Sequence, residues 1–245
     1  VTQNIAGHET GFVGVYRASK PGPVLAFLAE YDALPGIGHA CGHNLFGNYS
    51  LLAAVALKAV IDDLGGEIRV YGTPGEEGGE NGSAKGSYVK AGFFQDVDVA
   101  LCAHPAHKFA PTLRLLANAP VDIEFFGRAS HAAGAPEAGI NALEALIQVF
   151  NSINALRLNL TKDVNIHGII TNGGQAANVI PEYASGRFYL RAAERKTLES
   201  VYQKVENIVK GAALATGCDY KFGLFQNWVD DVVPVSYTHL RAHET

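Results

Sequence analysis

The first hundred residues alternate strand-like apolar runs with helical stretches, and this alternation constrains the fold more than any other feature. Strand patterns occupy residues 13–16, 24–29, 67–72 and 97–103, with helical patterns at 44–64 and 82–92 among them. The run VLAFLA is apolar on both faces, which is typical of a buried strand in a parallel sheet, and VDVALCA is predicted to be a second buried strand. This order predicts an α/β layer with a mostly parallel sheet.

A second order of elements begins near residue 113. A strand pattern at 119–129 is followed by a helical pattern at 138–156 that counts Ile140 among its apolar positions. Strands at 164–170 and 186–192, a helix at 198–215 and a strand at 218–223 complete a β-α-β-β-α-β order. Such an order is typical of a ferredoxin-like α+β layer. We therefore predict a first domain at 1–114, a second domain at 115–223 and a return segment at 224–234.

Both ends of the chain are unusual. Residue 1 is not Met, and residues 235–245, VSYTHLRAHET, follow neither a strand nor a helix period. We expect a C-terminally truncated fragment of a longer protein, with a non-native tail at 235–245. His239 and His243 lie in that tail and receive no functional role.

Composition argues against several classes of partner. The net charge of −5 offers no basic surface for nucleic acid. We find no apolar run near the ~20 residues of a membrane span. Three widely spaced cysteines and no signal-peptide pattern favour a reducing compartment, so we expect a cytoplasmic protein. Cys102 falls within an apolar run and is predicted to be a small core residue.

Three of the predicted strands end in loops that carry acid, thiol and imidazole groups. These groups are Asp32, Cys41 and His43 in the first loop, Glu76 and Glu77 in the second, and His104 in the third. Because ligands collect at the carboxyl ends of parallel strands, we expect the three loops to open on one side of the sheet. Thiolate, imidazole and carboxylate together are typical ligands of a divalent metal, with zinc the usual occupant.

The spacing of these residues indicates which of them could act together and which should have different roles. Cys41 and His43 are two residues apart, so an extended loop would direct both side chains the same way. Glu76 and Glu77 are adjacent, which favours one as a metal ligand and its neighbour as a proton shuttle. Two metal ions would supply a hydroxide nucleophile near neutral pH, and zinc, manganese and cobalt all suit this ligand set.

Other interpretations stay open for the same residues. Taken singly, most of them could be ordinary turn, surface or core residues, and Asp32 precedes a Pro-Gly pair that could simply form a turn. Cys41 could instead be the nucleophile of a thiol hydrolase, assisted by His43 or His39. The chain could also be a metal-binding fragment that catalyses nothing.

The chain resembles a known family in the motifs EYDALPGIGHACGHN, GTPGEEGG, AHPA, GRASHAAGAPEAGINALEA and ANVIPE. They are similar to motifs of the metal-dependent aminoacylase and carboxypeptidase family, and closest to its aminobenzoyl-glutamate hydrolase and Xaa-Arg dipeptidase branch. The resemblance implies a two-metal amidohydrolase that cleaves the amide bond of N-acyl amino acids or dipeptides. It also implies that 1–114 is an incomplete catalytic domain and that 115–223 is a lid through which the protein forms a homodimer.

The resemblance assigns roles to individual residues. The implied metal ligands are Cys41, His43, Glu77 and His104, the general base is Glu76, and the support of a metal-bound imidazole is Asp32. In the lid, His131 would reach the partner subunit's active site, whereas Asn178 and Arg191 would hold the acyl or carboxylate group of the substrate. Arginine suits a carboxylate because its guanidinium bonds both oxygens. The family has a further metal-ligand histidine near its C-terminus, and we expect this chain to be inactive without it.

Overall fold

The computed structural model describes residues 1–78, 82–107 and 115–232. The chain divides into two compact units, Val1–Phe109 and Ala110–Thr245. The predicted tail at 235–245, with His239 and His243, lies outside the described residues, as does the predicted domain boundary after residue 114.

A five-stranded mixed sheet forms the centre of the first unit. Its strands are β1 (Thr2–Gln3), β2 (Phe12–Arg17), β3 (Val24–Ala29), β4 (Glu67–Gly72) and β5 (Val99–Leu101), in the spatial order β1-β2-β4-β3-β5. β3 pairs in parallel with both β4 and β5, whereas the pairs β1–β2 and β2–β4 are antiparallel. The parallel part of the sheet is therefore the group β4-β3-β5, whose carboxyl ends lie along one edge.

Two helices accompany this sheet. The long helix α1 (His43–Leu64) packs against β3 and β4, and the short helix is α2 (Ala84–Lys90). The buried residues of α1 follow helical spacing and are His43, Phe46, Ser50, Ala54 and Ile61. The helix ends at Gly65, whose φ of 92° is a conformation that favours glycine.

α1 contains no uninterrupted apolar run near the length of a membrane span, but its average composition is apolar enough for one. Its 22 residues include an 18-residue window with a mean hydropathy of 1.4, so by length and composition alone this helix could cross a membrane. Polar residues such as Asn48 and Lys58 interrupt every apolar run in the helix, although the average over the window stays high. The helix of a globular domain passes the same test, and one face of α1 packs on the sheet while Leu52 and Val55 are exposed.

The buried strand predicted at 97–103 was wrong in length and in burial. β5 has three residues, and Val99 and Leu101 are each 44% exposed. The physical reason is its position, because β5 is the last strand in the order of the described sheet and has β3 as its neighbour on one side. Cys102, which follows β5 directly, is likewise exposed and is not the predicted core residue.

A four-stranded antiparallel sheet and two helices form the second unit. Its elements are β6 (Ala117–Phe126), β7 (Ser130–His131), α3 (Ala142–Arg157), β8 (Asn165–Asn172), β9 (Val179–Ile180), β10 (Tyr183–Ala192), α4 (Arg195–Thr216) and β11 (Asp219–Leu224). The main sheet has the order β11-β6-β10-β8, and β7 and β9 form a separate small pair. This β-α-β-β-α-β arrangement confirms the predicted ferredoxin-like layer.

The two helices α3 and α4 cover one face of the main sheet and form a single core with it. α3 begins at Ala142 because Asn141 caps it, and Asn141 Oδ1 accepts hydrogen bonds from the amides of Leu143 and Glu144. The prediction that Ile140 belongs to this helix was wrong, since Ile140 forms a β-bridge with Arg128.

Candidate metal centre

The carboxyl ends of the parallel strands bring together three of the residues predicted as metal ligands. Cys41 Sγ lies 3.4 Å from His104 Nε2. The potential ligand atoms of Cys41, His43 and His104 all lie within 4.8 Å of one another. Since zinc bonds nitrogen and sulfur at about 2.0–2.3 Å, one ion could contact all three side chains after small adjustments.

A turn at Gly42 replaces the expected extended loop between Cys41 and His43. Gly42 has a left-handed conformation with a φ of 83° and directly precedes α1. A Cβ at this position would lie 3.1 Å from Pro105 Cγ, in the loop that carries His104. Glycine therefore permits both the turn and the close approach of the two loops.

Backbone carbonyls set the tautomer of both histidines. His43 Nδ1 lies 3.1 Å from Asp32 O, and His104 Nδ1 lies 2.8 Å from Pro105 O. Because a carbonyl oxygen can only accept a hydrogen bond, each Nδ1 carries the proton and each Nε2 of the neutral ring presents a lone pair. His104 presents this lone pair towards the Cys41 sulfur. Histidines that bind a metal through one ring nitrogen commonly donate a hydrogen bond from the other ring nitrogen to a carbonyl or carboxylate oxygen.

Carboxylates line the remaining sides of this cluster. Glu30 Oε2 lies 3.0 Å and Glu76 Oε2 lies 3.9 Å from His43 Nε2. The other oxygen of Glu30 forms an ion pair with Lys85 of α2. Because His43 Nδ1 is the protonated nitrogen, the lone pairs of His43 Nε2 and Glu30 Oε2 face each other. A proton or a cation between these two atoms would stabilise the arrangement.

Several buried polar atoms at this edge of the sheet have no partner within the described residues. They are Asp32 Oδ1, His43 Nε2 and Glu77 Oε1. A buried polar atom without a hydrogen bond lowers the free energy of unfolding by about 1–3 kcal/mol. A set of thiolate, imidazole lone pairs and carboxylate oxygens is the donor set of a divalent cation. The residues present therefore fit the predicted metal ions.

The electrostatics of the cluster also favour a cation. Partial burial raises the pKa of Glu76, and the neighbouring Glu30 carboxylate raises it further. Burial raises the pKa of the Cys41 thiol, and the Glu77 carboxylate adds to this effect. A thiol with a raised pKa is a poor nucleophile, which argues against a thiol hydrolase that uses Cys41. A bound divalent cation would deprotonate the thiol.

Glu30 is the residue of this site that the sequence analysis missed. Its side chain is buried, and its carboxylate forms a second group with His43 and Glu76 whose potential ligand atoms lie within 4.8 Å of one another. The available signal was its position directly after a buried strand and two residues before Asp32, which places both acids on one face.

The second unit brings together two of the three predicted substrate-binding residues. β7 pairs with β9, and the Ala132 amide donates to Asn178 O at 2.9 Å, so His131 and Asn178 are neighbours. A cavity of about 430 Å³, lined by Ala132 and Ala177 among others, lies beside them.

Arg191 lies at the opposite end of the main sheet. It pairs with Asn118, whereas Tyr183, at the end nearest β9, pairs with Phe126. Arg191 and Tyr183 are eight residues apart along β10, which corresponds to roughly 26 Å of strand. Arg191 therefore lies at the end of β10 that is far from the connection to β9, the partner strand of His131.

Known proteins resemble both the second unit and the whole chain. Residues 118–216 match the peptidase dimerisation domain family. The chain is 40% identical over 198 residues to the Xaa-Arg dipeptidase of Mus musculus, which covers 79% of this chain and 45% of that protein. It is 37% identical over 238 residues to a p-aminobenzoyl-glutamate hydrolase protein of Escherichia coli K12, with 88% and 48% covered. The chain thus spans about half the length of these relatives.

Solved structures share the fold. An aminobenzoyl-glutamate utilization protein from Klebsiella pneumoniae matches with a TM-score of 0.73 at 24% identity, covering 94% of this chain and 57% of that one. A dinuclear metal-binding peptidase of the M20 family from Bacillus subtilis matches with a TM-score of 0.51 at 20% identity, covering 91% and 63%. These findings confirm the recognised family. Residues 118–216 are a peptidase dimerisation domain of the M20 type, and the curated relatives are named as hydrolases.

Proposed function

We propose that this chain carries the metal centre and the lid of a two-metal amidohydrolase that cleaves the amide bond of N-acyl amino acids or dipeptides. The observation that carries the proposal is the convergence of Cys41, His43 and His104, which lie in the loops after the parallel strands β3 and β5. Two relatives support the reaction class, because one is named a dipeptidase and the other an aminobenzoyl-glutamate hydrolase.

Each residue of the cluster has a role in this proposal. The metal ions, zinc or manganese with cobalt as a further candidate, would be held by Cys41, His43, Glu77 and His104. When bound, they activate a water molecule and polarise the amide carbonyl. Glu76 takes up the proton of the attacking water and passes it to the leaving amine, a task that its raised pKa suits. Asp32 holds His43 in the orientation that presents Nε2.

The lid would supply the groups that bind substrate, and it would do so as a homodimer. Asn178 and Arg191 hold the acyl or carboxylate group, and His131 donates to a substrate oxygen across the dimer. The position of Arg191 at the end of β10 far from the β7–β9 pair supports this proposal, because two lids could bring Arg191 of one subunit and His131 of the other to one substrate. A dimerisation domain at 118–216 supports it independently.

The edge of β8 is the surface that we propose for dimerisation. In the described sheet β8 is the last strand, and its Ile169 and Ile170 are 63% and 44% exposed. An exposed edge with apolar side chains is suited to pairing with a second copy. We expect Ile169→Asp to give monomers in sedimentation velocity, whereas Leu214→Asp, at a leucine of α4 that is 87% exposed, should leave the dimer intact. A dimer that survives Ile169→Asp would place the interface elsewhere.

The function is tested first through metal binding. Isothermal titration of the metal-free chain with zinc or manganese should show binding that Cys41→Ser weakens strongly. Cys102→Ser is the matched control, because this thiol is exposed and lies outside both candidate metal groups. Equal metal affinity in the two variants would contradict the centre.

The second test is hydrolysis. Because we expect this chain to be inactive without the further metal-ligand histidine, the assay uses the chain extended to the full length of its relatives. Dipeptides ending in arginine and p-aminobenzoyl-glutamate are the substrates, with each metal supplied. A chelator should abolish turnover, and added metal should restore it. Turnover that persists in the chelator and is lost in Cys41→Ser would instead support a thiol hydrolase.

A further inference from the structure

The turn after β7 holds the side chain of His131 by two backbone amides. The amide of Ala133 lies 3.2 Å and the amide of Gly134 lies 3.0 Å from His131 Nδ1. Backbone amides can only donate hydrogen bonds, so Nδ1 must be the acceptor in both. In the neutral ring the proton is then on Nε2.

The remaining amides of this turn are also engaged. Ala132 N donates to Asn178 O at 2.9 Å, and Ala135 N donates to His131 O at 3.0 Å. Each of the four amides that follow His131 therefore has a partner, and three of them donate to His131 itself, two to its ring and one to its carbonyl oxygen. The backbone and the imidazole ring thus fix each other, while the side chain stays exposed.

The arrangement is the reverse of the one at the metal centre. His43 and His104 donate from Nδ1 to carbonyl oxygens and keep a lone pair on Nε2, which suits a metal ligand. His131 accepts at Nδ1 and keeps an N–H on Nε2, which suits a hydrogen bond to an oxygen that carries negative charge. His43 and His104 are therefore suited to bind a cation, whereas His131 is suited to donate a hydrogen bond to an anion.

We propose that the amides of Ala133 and Gly134 are positioning groups that lock His131 as an Nε2–H donor to an anionic substrate oxygen, and that His131 is neither a metal ligand nor a base. The oxygen belongs to the carboxylate of the substrate or to the carbonyl group that becomes negative during amide cleavage. This inference rests on the proposed function for its ligand, whereas the tautomer itself does not depend on activity.

The tautomer can be measured directly in this chain. Two-bond ¹H–¹⁵N correlation spectra of protein labelled with ¹⁵N-histidine distinguish protonated from unprotonated ring nitrogens. The His131 signals are assigned by their loss in His131→Asn and, independently, in His131→Gln. We expect an unprotonated Nδ1 and a protonated Nε2. A protonated Nδ1, or averaging between the two tautomers as in free histidine, would overturn the inference.

The same two variants distinguish the hydrogen bonds that His131 accepts at Nδ1 from the hydrogen bond that it donates from Nε2. An asparagine carboxamide can accept from the amides of Ala133 and Gly134 but has no donor at the Nε2 position, whereas glutamine can place an N–H there. The amide resonances of Ala133 and Gly134 should therefore stay close to wild type in His131→Asn and move in His131→Ala. Unchanged resonances in His131→Ala would show that the imidazole does not hold the turn.

Turnover supplies the last readout. In an active sample, His131→Asn should lower kcat by about 10²–10³-fold, the usual effect of losing one such donor, and His131→Gln should lower it less. The reverse order would overturn the donor role even with the expected tautomer. A full-length wild-type protein that binds metal and hydrolyses none of the substrates would count against the proposed function, while the spectra of this chain would still decide the tautomer.

Discussion

The two units of the chain bury their apolar residues in different ways. In the second unit one continuous core runs through β6, α3, β10 and α4. The described residues of the first unit form two separate, smaller clusters, and α1 exposes a row of apolar side chains that includes Leu51, Leu52, Val55 and Leu64. The second unit is therefore stabilised mainly by packing, whereas the first combines modest packing with a dense polar cluster at its strand ends.

This difference indicates where each unit carries its function. The polar cluster of the first unit leaves buried atoms without partners in the part of the chain that is described, so a ligand could stabilise that unit considerably. The second unit has a continuous core of its own and presents His131 from a hydrogen-bonded turn at its surface. Substitutions in the polar cluster of the first unit should accordingly affect chemistry, and substitutions in the core of the second unit should affect folding.

The largest effect is expected at the proposed proton shuttle. In the full-length protein, Glu76→Gln should lower kcat by about 10²–10⁴-fold and leave metal binding intact, because the amide cannot take up the proton. Glu137→Gln, on the surface of the second unit, is the control and should be neutral. The assay combines steady-state kinetics with titration calorimetry. Retained turnover with lost metal would reverse the roles of Glu76 and Glu77.

A pair of truncations tests the packing contrast itself. Phe188→Ala removes a ring that is 1% exposed in the second unit, and we expect it to cost about 3–5 kcal/mol of unfolding free energy. Leu52→Ala removes a side chain that is 65% exposed on α1, so its effect should stay within about 0.5 kcal/mol. Urea unfolding measures both. A large cost for Leu52→Ala would mean that this face of α1 is covered in solution, and the contrast between the units would fail.

Removing the Asp32 carboxylate beside the metal centre should have a smaller effect, on metal affinity, that is confined to the first unit. Asp32→Asn should weaken zinc binding about 10–100-fold, because His43 loses the carboxylate beside its Nδ1. Asp62→Asn, which alters a surface contact with Tyr16, is the control. Hydrogen exchange should show that zinc protects amides of the first unit and not those of the second. Protection spread over both units would show that their stabilities are coupled.

The smallest effect concerns pH. Burial lowers the pKa of His8, whose Nε2 lies 2.9 Å from Ser87 Oγ in the first unit. The unfolded chain, with a histidine pKa of about 6.5, therefore binds this proton more readily than the folded chain. The contribution of His8 to stability is complete above that value and is lost as the pH falls below it towards the lower folded pKa. In chelator, His8→Gln should flatten the pH dependence of unfolding below pH 6.5, and identical slopes would exclude this role.

Much of the fold could be predicted because it depends on local patterns. The run VLAFLA became β3, and the helix predicted at 44–64 became α1 with one added residue. The ferredoxin-like order followed from the alternation of patterns after residue 113. Placing Asp32, Glu76 and His104 on one edge needed only the rule that parallel strands share a carboxyl end, and β4-β3-β5 obey it.

The remaining features depend on contacts that no local pattern encodes. The exposure of β5 follows from its place at the sheet edge and not from its apolar residues. Glu30 is buried beside His43 through an ion pair with Lys85, which is 55 residues away. The tautomer of His131 depends on the conformation of the turn that follows it. The turn at Gly42 similarly needs the position of Pro105.

The distance along the chain between Cys41 and His104 has a consequence for how the centre is made in a cell. These two side chains meet although 63 residues separate them. At a synthesis rate of about 5–20 residues per second, the thiol is completed about 3–13 s before its imidazole partner exists. During that interval a nascent chain cannot offer the full set of ligands, so metal would be acquired after this part is synthesised and folded. A ribosome-arrested chain that ends before residue 104 should therefore react with a thiol reagent at Cys41 even when zinc is abundant.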